Sequence, residues 1–182
     1  VSLVVENHPK ARHWNVEYLD TGMETPVGER LRLAQPLVAD EEMFFANYSD
    51  VLTDVSLDDM VERMHASPAA AAMMLSVRPH ATFHVINTRE DDTVSGFHLL
   101  EELPIRENGG YLIMRQSFFD HLGGGRDLDA AFAELLPTRQ LIAYRHDGFW
   151  LPADTFKERA QLDAMYGSGN VPWGRRDMVT VP

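Results

Sequence analysis

Residues 144–155 read YRHDGFWLPADT, and this stretch carries the clearest indication of both the fold and the site. The apolar run over 141–144 predicts a strand, and the Asp147–Gly148 pair that follows is typical of a turn. Two aromatic residues and a proline come next, before Asp154 at the start of a predicted helix over 155–166. The pattern therefore predicts a carboxylate held at a strand end beside aromatic side chains.

A second carboxylate has the same placement in the sequence. Asp50 follows an apolar, aromatic run over 43–48 that predicts a buried strand. Carboxylate oxygens are the ligands that hard divalent cations bound to phosphates require, so we expect Asp50 and Asp154 to form one metal site. Simpler roles are also open, because Asp50 could cap a turn and Asp154 could be the N-cap of the following helix.

Composition limits the classes of function. The chain has 182 residues, of which 45% are hydrophobic and 24% charged, as in an ordinary globular domain. It has no cysteine, which excludes disulfides and thiolate zinc sites, and its net charge of −12 disfavours nucleic acid. No apolar run approaches the roughly 18 residues of a membrane span. We therefore predict a cytoplasmic protein that binds neither nucleic acid nor membrane.

Strand-like and helix-like segments alternate along the chain, which predicts an α/β fold with a mixed sheet. The predicted strands are 1–5, 14–19, 43–48, 75–77, 81–86, 94–99, 111–114 and 141–144, with 81–86 and 94–99 forming a hairpin. The predicted helices are 29–34, 56–66, 118–122, 127–136 and 155–166. We expect a single domain over 1–169 and a C-terminal tail over 170–182 that Trp173 anchors.

Several short motifs follow one another in an order typical of a known family. They are Trp14-x-Val16, Asp20-Thr21-Gly22, Thr25, Gly28 with Arg30-Leu31, Tyr48-Ser49-Asp50, Asp54-Val55, Asn108-Gly109-Gly110, Gly148-Phe149-Trp150, Asp154-Thr155 and the ending 169–173. Over nearly its whole length the chain thus resembles the sugar-1-phosphate nucleotidyltransferases, and among them most closely the glucose-1-phosphate cytidylyltransferases. The resemblance implies a Rossmann-like mixed sheet flanked by helices, with ligands at the carboxyl ends of its strands.

The resemblance also implies a reaction and a site. In that family a sugar 1-phosphate attacks the α-phosphate of a nucleoside triphosphate, here CTP, and pyrophosphate leaves. Asp50 and Asp154 would be catalytic through bound Mg²⁺, which offsets the charge that develops on the phosphates. The substrate-binding residues implied are Tyr48, Asn108, Gly109, Trp150, Glu102 and Arg30, although 108–110 could equally be a plain turn. His146 could act as a general base, which this reaction does not require. A homo-oligomer is also implied.

The chain departs from the family pattern in two respects. The glycine-rich fingerprint GGxGTRL and its following lysine are absent, so we expect the chain to be N-terminally incomplete. Leu103 replaces the lysine of a Glu-Lys-Pro motif, with Arg106 nearby as a possible substitute. Losing that charge-assisted contact costs about 1.5–3 kcal/mol and leaves the sugar open. The alternative function is therefore a catalytically impaired relative that acts as a nucleotide-sugar-binding module or partner subunit.

Overall fold

The computed structural model describes residues 16–80, 84–123 and 125–174. Over these residues the chain contains eight β-strands, which are β1 (Met43–Asn47), β2 (Val51–Thr53), β3 (Ala72–Val77), β4 (His84–Thr88), β5 (Val94–Leu99), β6 (Glu107–Arg115), β7 (Leu141–Arg145) and β8 (Trp150–Pro152). The same residues contain four α-helices, which are α1 (Val27–Ala34), α2 (Leu57–His65), α3 (Leu128–Leu135) and α4 (Phe156–Gly167). Short 3₁₀ helices occupy Gln35–Leu37, Leu100–Glu102 and Gln116–His121. Among the helices of this described part, none is long and apolar enough to cross a bilayer.

Two compact units make up the chain, and each is described by itself. The first combines Val1–Glu42 with Gln116–Thr138, and the second combines Met43–Arg115 with Arg139–Pro182. Several sequence predictions fall on residues outside the described ranges, namely the strand predicted over 1–5, residues 14–15 of the strand predicted over 14–19, residues 81–83 of the hairpin and the tail beyond 174. The strand predicted over 14–19 is wrong for its described part, because residues 16–19 contain only a single bridge residue, Glu17.

The second unit is built on a mixed four-stranded sheet in the order β1-β6-β3-β7. β6 runs antiparallel to both β1 and β3, whereas β3 and β7 are parallel. The carboxyl ends of β1, β3 and β7 therefore meet the start of β6 at one edge of the sheet, which we call the carboxyl edge. The predicted α/β fold with a mixed sheet is confirmed.

Helix α2 covers part of this sheet because its sequence is amphipathic and well capped. Ser56 Oγ accepts a hydrogen bond from the Asp59 backbone N–H at 3.1 Å, as the sequence predicts for a helix over 56–66. Met60 and Met64 lie one turn apart on the same face and are fully buried. They join the core cluster that Met73 and Leu75 of β3 and Ile113 of β6 form, so helix and sheet share one hydrophobic core.

Two short strands, β2 and β8, are not predicted from the sequence. β2 and β8 pair antiparallel, with Val51 opposite Pro152 and Thr53 opposite Trp150. Three residues are too few to show a period of two, and so neither strand is predicted. β6 also starts at Glu107 rather than at the predicted residue 111, because residues 108–110 lie in the strand. The alternative of a plain turn there is wrong.

The hairpin predicted from 81–86 and 94–99 is confirmed over the part that the structure describes. β4 pairs antiparallel with β5, from His84 opposite Leu99 to Thr88 opposite Val94, in a sheet of two strands. The rings of His84 and Phe97 stack with centroids 4.4 Å apart. Such cross-strand pairs are what hold a two-stranded sheet together.

In the first unit, α1 packs against the beginning of α3 at a glycine. Asp127 caps α3 by accepting a hydrogen bond from the Leu128 N–H at 2.8 Å. A Cβ added to Gly28 would stand 2.5 Å from the Arg126 carbonyl oxygen and 2.9 Å from the Leu128 nitrogen. The backbones of α1 and α3 approach each other too closely at this point for any side chain, which explains the glycine at position 28.

Replacing Gly28 with alanine should lower the free energy of unfolding by about 1–3 kcal/mol, the usual cost of overpacking. The clash outweighs the gain in helix propensity, which is at most about 1 kcal/mol. Gly167→Ala is the matched control, because nothing lies within 4 Å of a Cβ added at Gly167 in α4. Urea unfolding of both variants provides the measurement. Equal stability of the two would show that the close approach at Gly28 has no energetic consequence.

Candidate active site

The two acidic residues predicted to bind metal lie at the same end of the β2–β8 ladder. Asp50 directly precedes β2, and Asp154 follows β8 by two residues. The Ala153 N–H donates to the Asp50 carbonyl oxygen at 2.7 Å, which extends the ladder to this end. The pairing therefore brings the backbones of Asp50 and Asp154 close together, although 104 positions separate them in the sequence (154 − 50). Both side chains are exposed.

Asp154 does not cap the helix that follows it. The N-cap of α4 is Thr155, whose hydroxyl accepts from the Glu158 N–H at 3.2 Å while the Glu158 carboxylate accepts from the Thr155 N–H at 2.9 Å. This reciprocal capping box satisfies the start of the helix. The simpler role considered for Asp154 is therefore wrong, and its carboxylate is left available for a ligand.

The donor set at this end suits a hard cation. Within the three described ranges, no cluster of three or more His, Cys, Asp or Glu side chains could hold a metal ion. A site based on Asp50 and Asp154 would therefore supply two protein ligands, both of them carboxylates. Mg²⁺ is commonly held by one or two carboxylates together with substrate phosphates and water. The residues present fit that ion, and its binding here stays a prediction.

Four of the predicted substrate-binding residues lie together at the carboxyl edge. The Tyr48 N–H donates to the Gly110 carbonyl oxygen at 2.8 Å, and the Trp150 indole N–H donates to the Gly109 carbonyl oxygen at 2.8 Å. Asn108 Oδ1 accepts from the Gly110 N–H at 3.0 Å, which leaves the Asn108 amide nitrogen to donate elsewhere. The start of β6 thus joins the Asp50 loop to β8.

The two remaining predicted residues are engaged elsewhere. Glu102 lies in a 3₁₀ helix, where its carboxylate accepts from the Leu99 N–H at 3.4 Å. Arg30 belongs to the first unit and donates to the carbonyl oxygens of Thr25 and Met23, both at 2.7 Å. These contacts close the loop before α1. Substrate roles for Glu102 and Arg30 stay predictions.

Known proteins resemble this chain in sequence and in fold. No family model matches the chain. It is 27% identical over 177 residues to glucose-1-phosphate cytidylyltransferase of Salmonella typhimurium, covering 92% of this chain and 65% of that protein. It is 28% identical over 163 residues to a probable glucose-1-phosphate cytidylyltransferase of Bacillus subtilis, covering 88% of this chain and 63% of that protein. The chain is thus similar to proteins that carry the name glucose-1-phosphate cytidylyltransferase.

Fold similarity extends to solved structures of the nucleotidyltransferase class. The crystal structure of UDP-glucose pyrophosphorylase complexed with UDP-glucose matches with a TM-score of 0.59 and 14% identity, over 84% of this chain and 66% of that one. At this identity the match shows a shared fold, which confirms the Rossmann-like mixed sheet flanked by helices. The chain spans only 63–65% of the length of these curated relatives.

Arg106, the possible substitute for the missing lysine, is bound by other residues of the chain. Its guanidinium donates to the Ser76 carbonyl oxygen at 2.7 Å, the His146 carbonyl oxygen at 2.6 Å and Asp147 Oδ1 at 2.9 Å. These bonds fasten the ends of β3 and β7 to each other. Since most of its N–H groups are used in this way, Arg106 is a structural clamp, and the idea that it substitutes for the lysine is not supported.

Sequence reasoning also missed a hydrogen-bonded pair, Asp54 and His146. His146 Nε2 lies 2.8 Å from Asp54 Oδ1 and 3.2 Å from the Phe149 carbonyl oxygen. The two residues are 92 positions apart, so no local pattern could have linked them. Asp54 belongs to one of the family motifs in the sequence and His146 lies two residues before another, which was the one available signal.

A cavity of about 170 Å³ opens beside this pair at the carboxyl edge. Its lining includes Arg78, His80, Glu101, His146 and Trp150, and the role of Trp150 in substrate binding stays a prediction. A second cavity of about 440 Å³ is lined by residues that include Ser56, Tyr111 and Trp173. Trp173 packs against Phe149 with ring centroids 5.4 Å apart, which agrees with its predicted anchoring role.

The Asp147 carboxylate accepts hydrogen bonds from two arginines, Arg106 and Arg78, so we expect its contribution to stability to depend on pH. Hydrogen bonds from Arg106 and then from Arg78 hold the pKa of Asp147 below its ordinary value of about 4. Because the pKa is lowered on folding, the stabilisation is present above about pH 4 and is lost as the pH falls through the lowered pKa. We expect Asp147→Asn to be less stable than the unchanged protein at pH 7, with a difference that shrinks below pH 4. Urea unfolding at several pH values tests this, and a difference independent of pH would contradict it.

Proposed function

We propose that the protein containing this chain transfers a nucleotidyl group to a sugar 1-phosphate in a reaction that depends on Mg²⁺. The observation that carries the proposal is the position of Asp50 and Asp154 at one end of the β2–β8 ladder, in a relative of the sugar-1-phosphate nucleotidyltransferases. The names of the curated relatives favour CTP as the nucleotide and glucose 1-phosphate as the sugar substrate.

In this mechanism an oxygen of the sugar phosphate forms a bond to the α-phosphorus, and the bond from that phosphorus to the pyrophosphate oxygen breaks. Bound Mg²⁺ supplies neutralisation of the charge on the phosphates. Asp50 and Asp154 hold the ion. The Asn108 amide nitrogen and the Gly109 backbone orient the sugar. Trp150 lines the neighbouring cavity and shields the sugar from water on the side of β8. Positioning and charge are enough, since no covalent intermediate with the protein is needed.

A second function is favoured by one observation, the commitment of Arg106 to its backbone contacts. Leu103 at the lysine position carries no charge, and the Arg106 guanidinium is engaged by Ser76, His146 and Asp147. A relative that binds a nucleotide sugar without turnover, as a binding module or a partner subunit, fits that arrangement.

The deciding experiment measures pyrophosphate release by protein expressed from the complete gene. It is supplied with Mg²⁺, one of CTP, UTP or dTTP, and one of a panel of sugar 1-phosphates. We expect turnover with CTP and at least one sugar, and its loss when EDTA removes the metal. Absence of turnover with every pair would overturn the enzymatic proposal. Calorimetric binding of a nucleotide sugar that Asp50→Ala leaves unchanged would then support the binding module.

The proposal extends to organisation and location. We infer that residues 1–169 act as the sugar- and metal-binding part of the protein, that 170–182 form a tail, and that the protein is cytoplasmic and homo-oligomeric. Light scattering after size exclusion measures the oligomer, and cell fractionation measures the location. A monomer, or recovery with the membrane fraction, would contradict these expectations.

A further inference from the structure

The Phe149 carbonyl oxygen accepts three hydrogen bonds, which connect the end of β2 to the turn before β8. It accepts from the Asp54 N–H at 3.2 Å, from Thr53 Oγ1 at 2.9 Å and from His146 Nε2 at 3.2 Å. Asp54 Oδ1 is a second acceptor for the same His146 nitrogen, at 2.8 Å. Because both neighbours accept, Nε2 carries the proton, and the ring joins the end of β2 to the turn before β8.

The His146 ring is itself held in place. Its backbone N–H donates to the Ser76 carbonyl oxygen at 2.9 Å, and its own carbonyl oxygen accepts from Arg106. Its side chain is 14% exposed, whereas that of Asp54 is 38% exposed. The histidine therefore sits on the four-stranded sheet as a fixed donor, and the Asp54 end of the ladder is fastened to it.

Close packing around this hydrogen bond excludes even a methyl group. A Cβ added to Gly148 would stand 2.6 Å from Asp54 Oδ1 and 2.6 Å from His146 Cε1. The turn from His146 to Phe149 therefore packs directly against the Asp54–His146 hydrogen bond. This packing leaves the two side chains little room for other conformations. The pair closes one end of the ladder, and the acids Asp50 and Asp154 flank the other end.

We propose that Asp54 and His146 form a positioning pair for the metal site. The pair fixes β2 and β8 on the sheet, so that the backbones of Asp50 and Asp154 keep the separation at which one divalent ion binds both carboxylates. This inference rests on the proposed function, since it assumes that these carboxylates are the ligands. Mutation of residues that do not bind a metal themselves but orient its ligands commonly lowers metal affinity by about 10- to 100-fold.

The experiment measures Mn²⁺ binding to the protein from the complete gene, by the paramagnetic resonance signal of free Mn²⁺. The variants are His146→Leu, Asp54→Ala, their combination, His146→Gln and Asp50→Asn. Glutamine can keep an N–H near the position of Nε2, so His146→Gln is the conservative partner of His146→Leu. A thermal unfolding curve is recorded for every variant.

We expect His146→Leu and Asp54→Ala each to weaken Mn²⁺ binding about tenfold, with the combination no weaker than either alone, because the two groups act as a unit. His146→Gln should bind nearly as well as the unchanged protein. If both single variants bind Mn²⁺ with the affinity of the unchanged protein, the positioning role of the pair is wrong. It is also wrong if the losses of Mn²⁺ affinity in the two single variants add up in the combined variant. If His146→Leu fails to fold, Asp54→Ala decides the question, since Asp54 is partly exposed.

Failure of the proposed function has a different signature. Mn²⁺ binding that is unchanged in Asp50→Asn would show that the metal site lies elsewhere, and this would overturn the ligand assignment together with the pair. Loss of binding in Asp50→Asn, with normal binding in His146→Leu and Asp54→Ala, would overturn the pair alone.

Discussion

Asp50→Asn is expected to slow pyrophosphate release by on the order of a hundred- to a thousandfold at saturating CTP and Mg²⁺. A metal ion supplies several kcal/mol of stabilisation to the charge that develops during transfer, and each 1.36 kcal/mol is about tenfold in rate. Asparagine keeps the size of the side chain but removes its negative charge. Because Asp50 is exposed, we expect the stability of the variant to stay within about 0.5 kcal/mol.

The matched control for this change is Asp163→Asn on α4. Asp163 is also exposed, and it lies away from both ends of the β2–β8 ladder in the sequence. The control should release pyrophosphate at the rate of the unchanged protein. Comparable rates for Asp50→Asn and Asp163→Asn would show that Asp50 does not hold the metal during transfer.

Ile113→Ala should lower the free energy of unfolding by about 2–5 kcal/mol, the range for truncating a large aliphatic side chain in a core. Ile113 is fully buried on β6, the strand between β1 and β3, and it is paired with Phe45 on one side and Met73 on the other. Truncation would leave a cavity in the core cluster that α2 and the sheet share. Urea unfolding followed by circular dichroism measures the loss.

An isoleucine of the hairpin provides the comparison. Ile86 on β4 is 54% exposed, so Ile86→Ala should change stability by no more than about 0.5 kcal/mol. Similar losses in the two variants would mean that the packing of β6 against β3 and α2 is not the main source of stability in this unit.

Local signals predicted those elements whose own residues decide their structure. α2 has an amphipathic face and a Ser56–Asp59 cap, and α4 has the Thr155–Glu158 capping box, so the ends of both helices could be placed closely. The hairpin of β4 and β5 was likewise visible as two alternating runs around a polar turn. Each of these features depends on neighbours within about ten residues.

Features that depend on distant partners could not be predicted. β2 and β8 are strands because each pairs with the other, and three residues alone carry no pattern. Arg106 resembled a free cation in the sequence, yet partners 30 to 41 positions away bind its guanidinium. The resemblance placed Asp50 and Asp154 as candidates, but the β2–β8 pairing that brings their backbones together emerged only from the folded chain.

The pairing of β2 with β8 has a consequence for the order of folding. The bond from Thr53 to Phe149 closes a loop of 96 residues, and contacts that close long loops form late because the chain loses entropy before they repay it. On the ribosome, β2 emerges long before its partner strand exists. The end of the β2–β8 ladder that carries Asp50 and Asp154 should therefore form only after the four-stranded sheet has assembled. A nascent chain should gain affinity for divalent ions only once β8 has emerged from the ribosome.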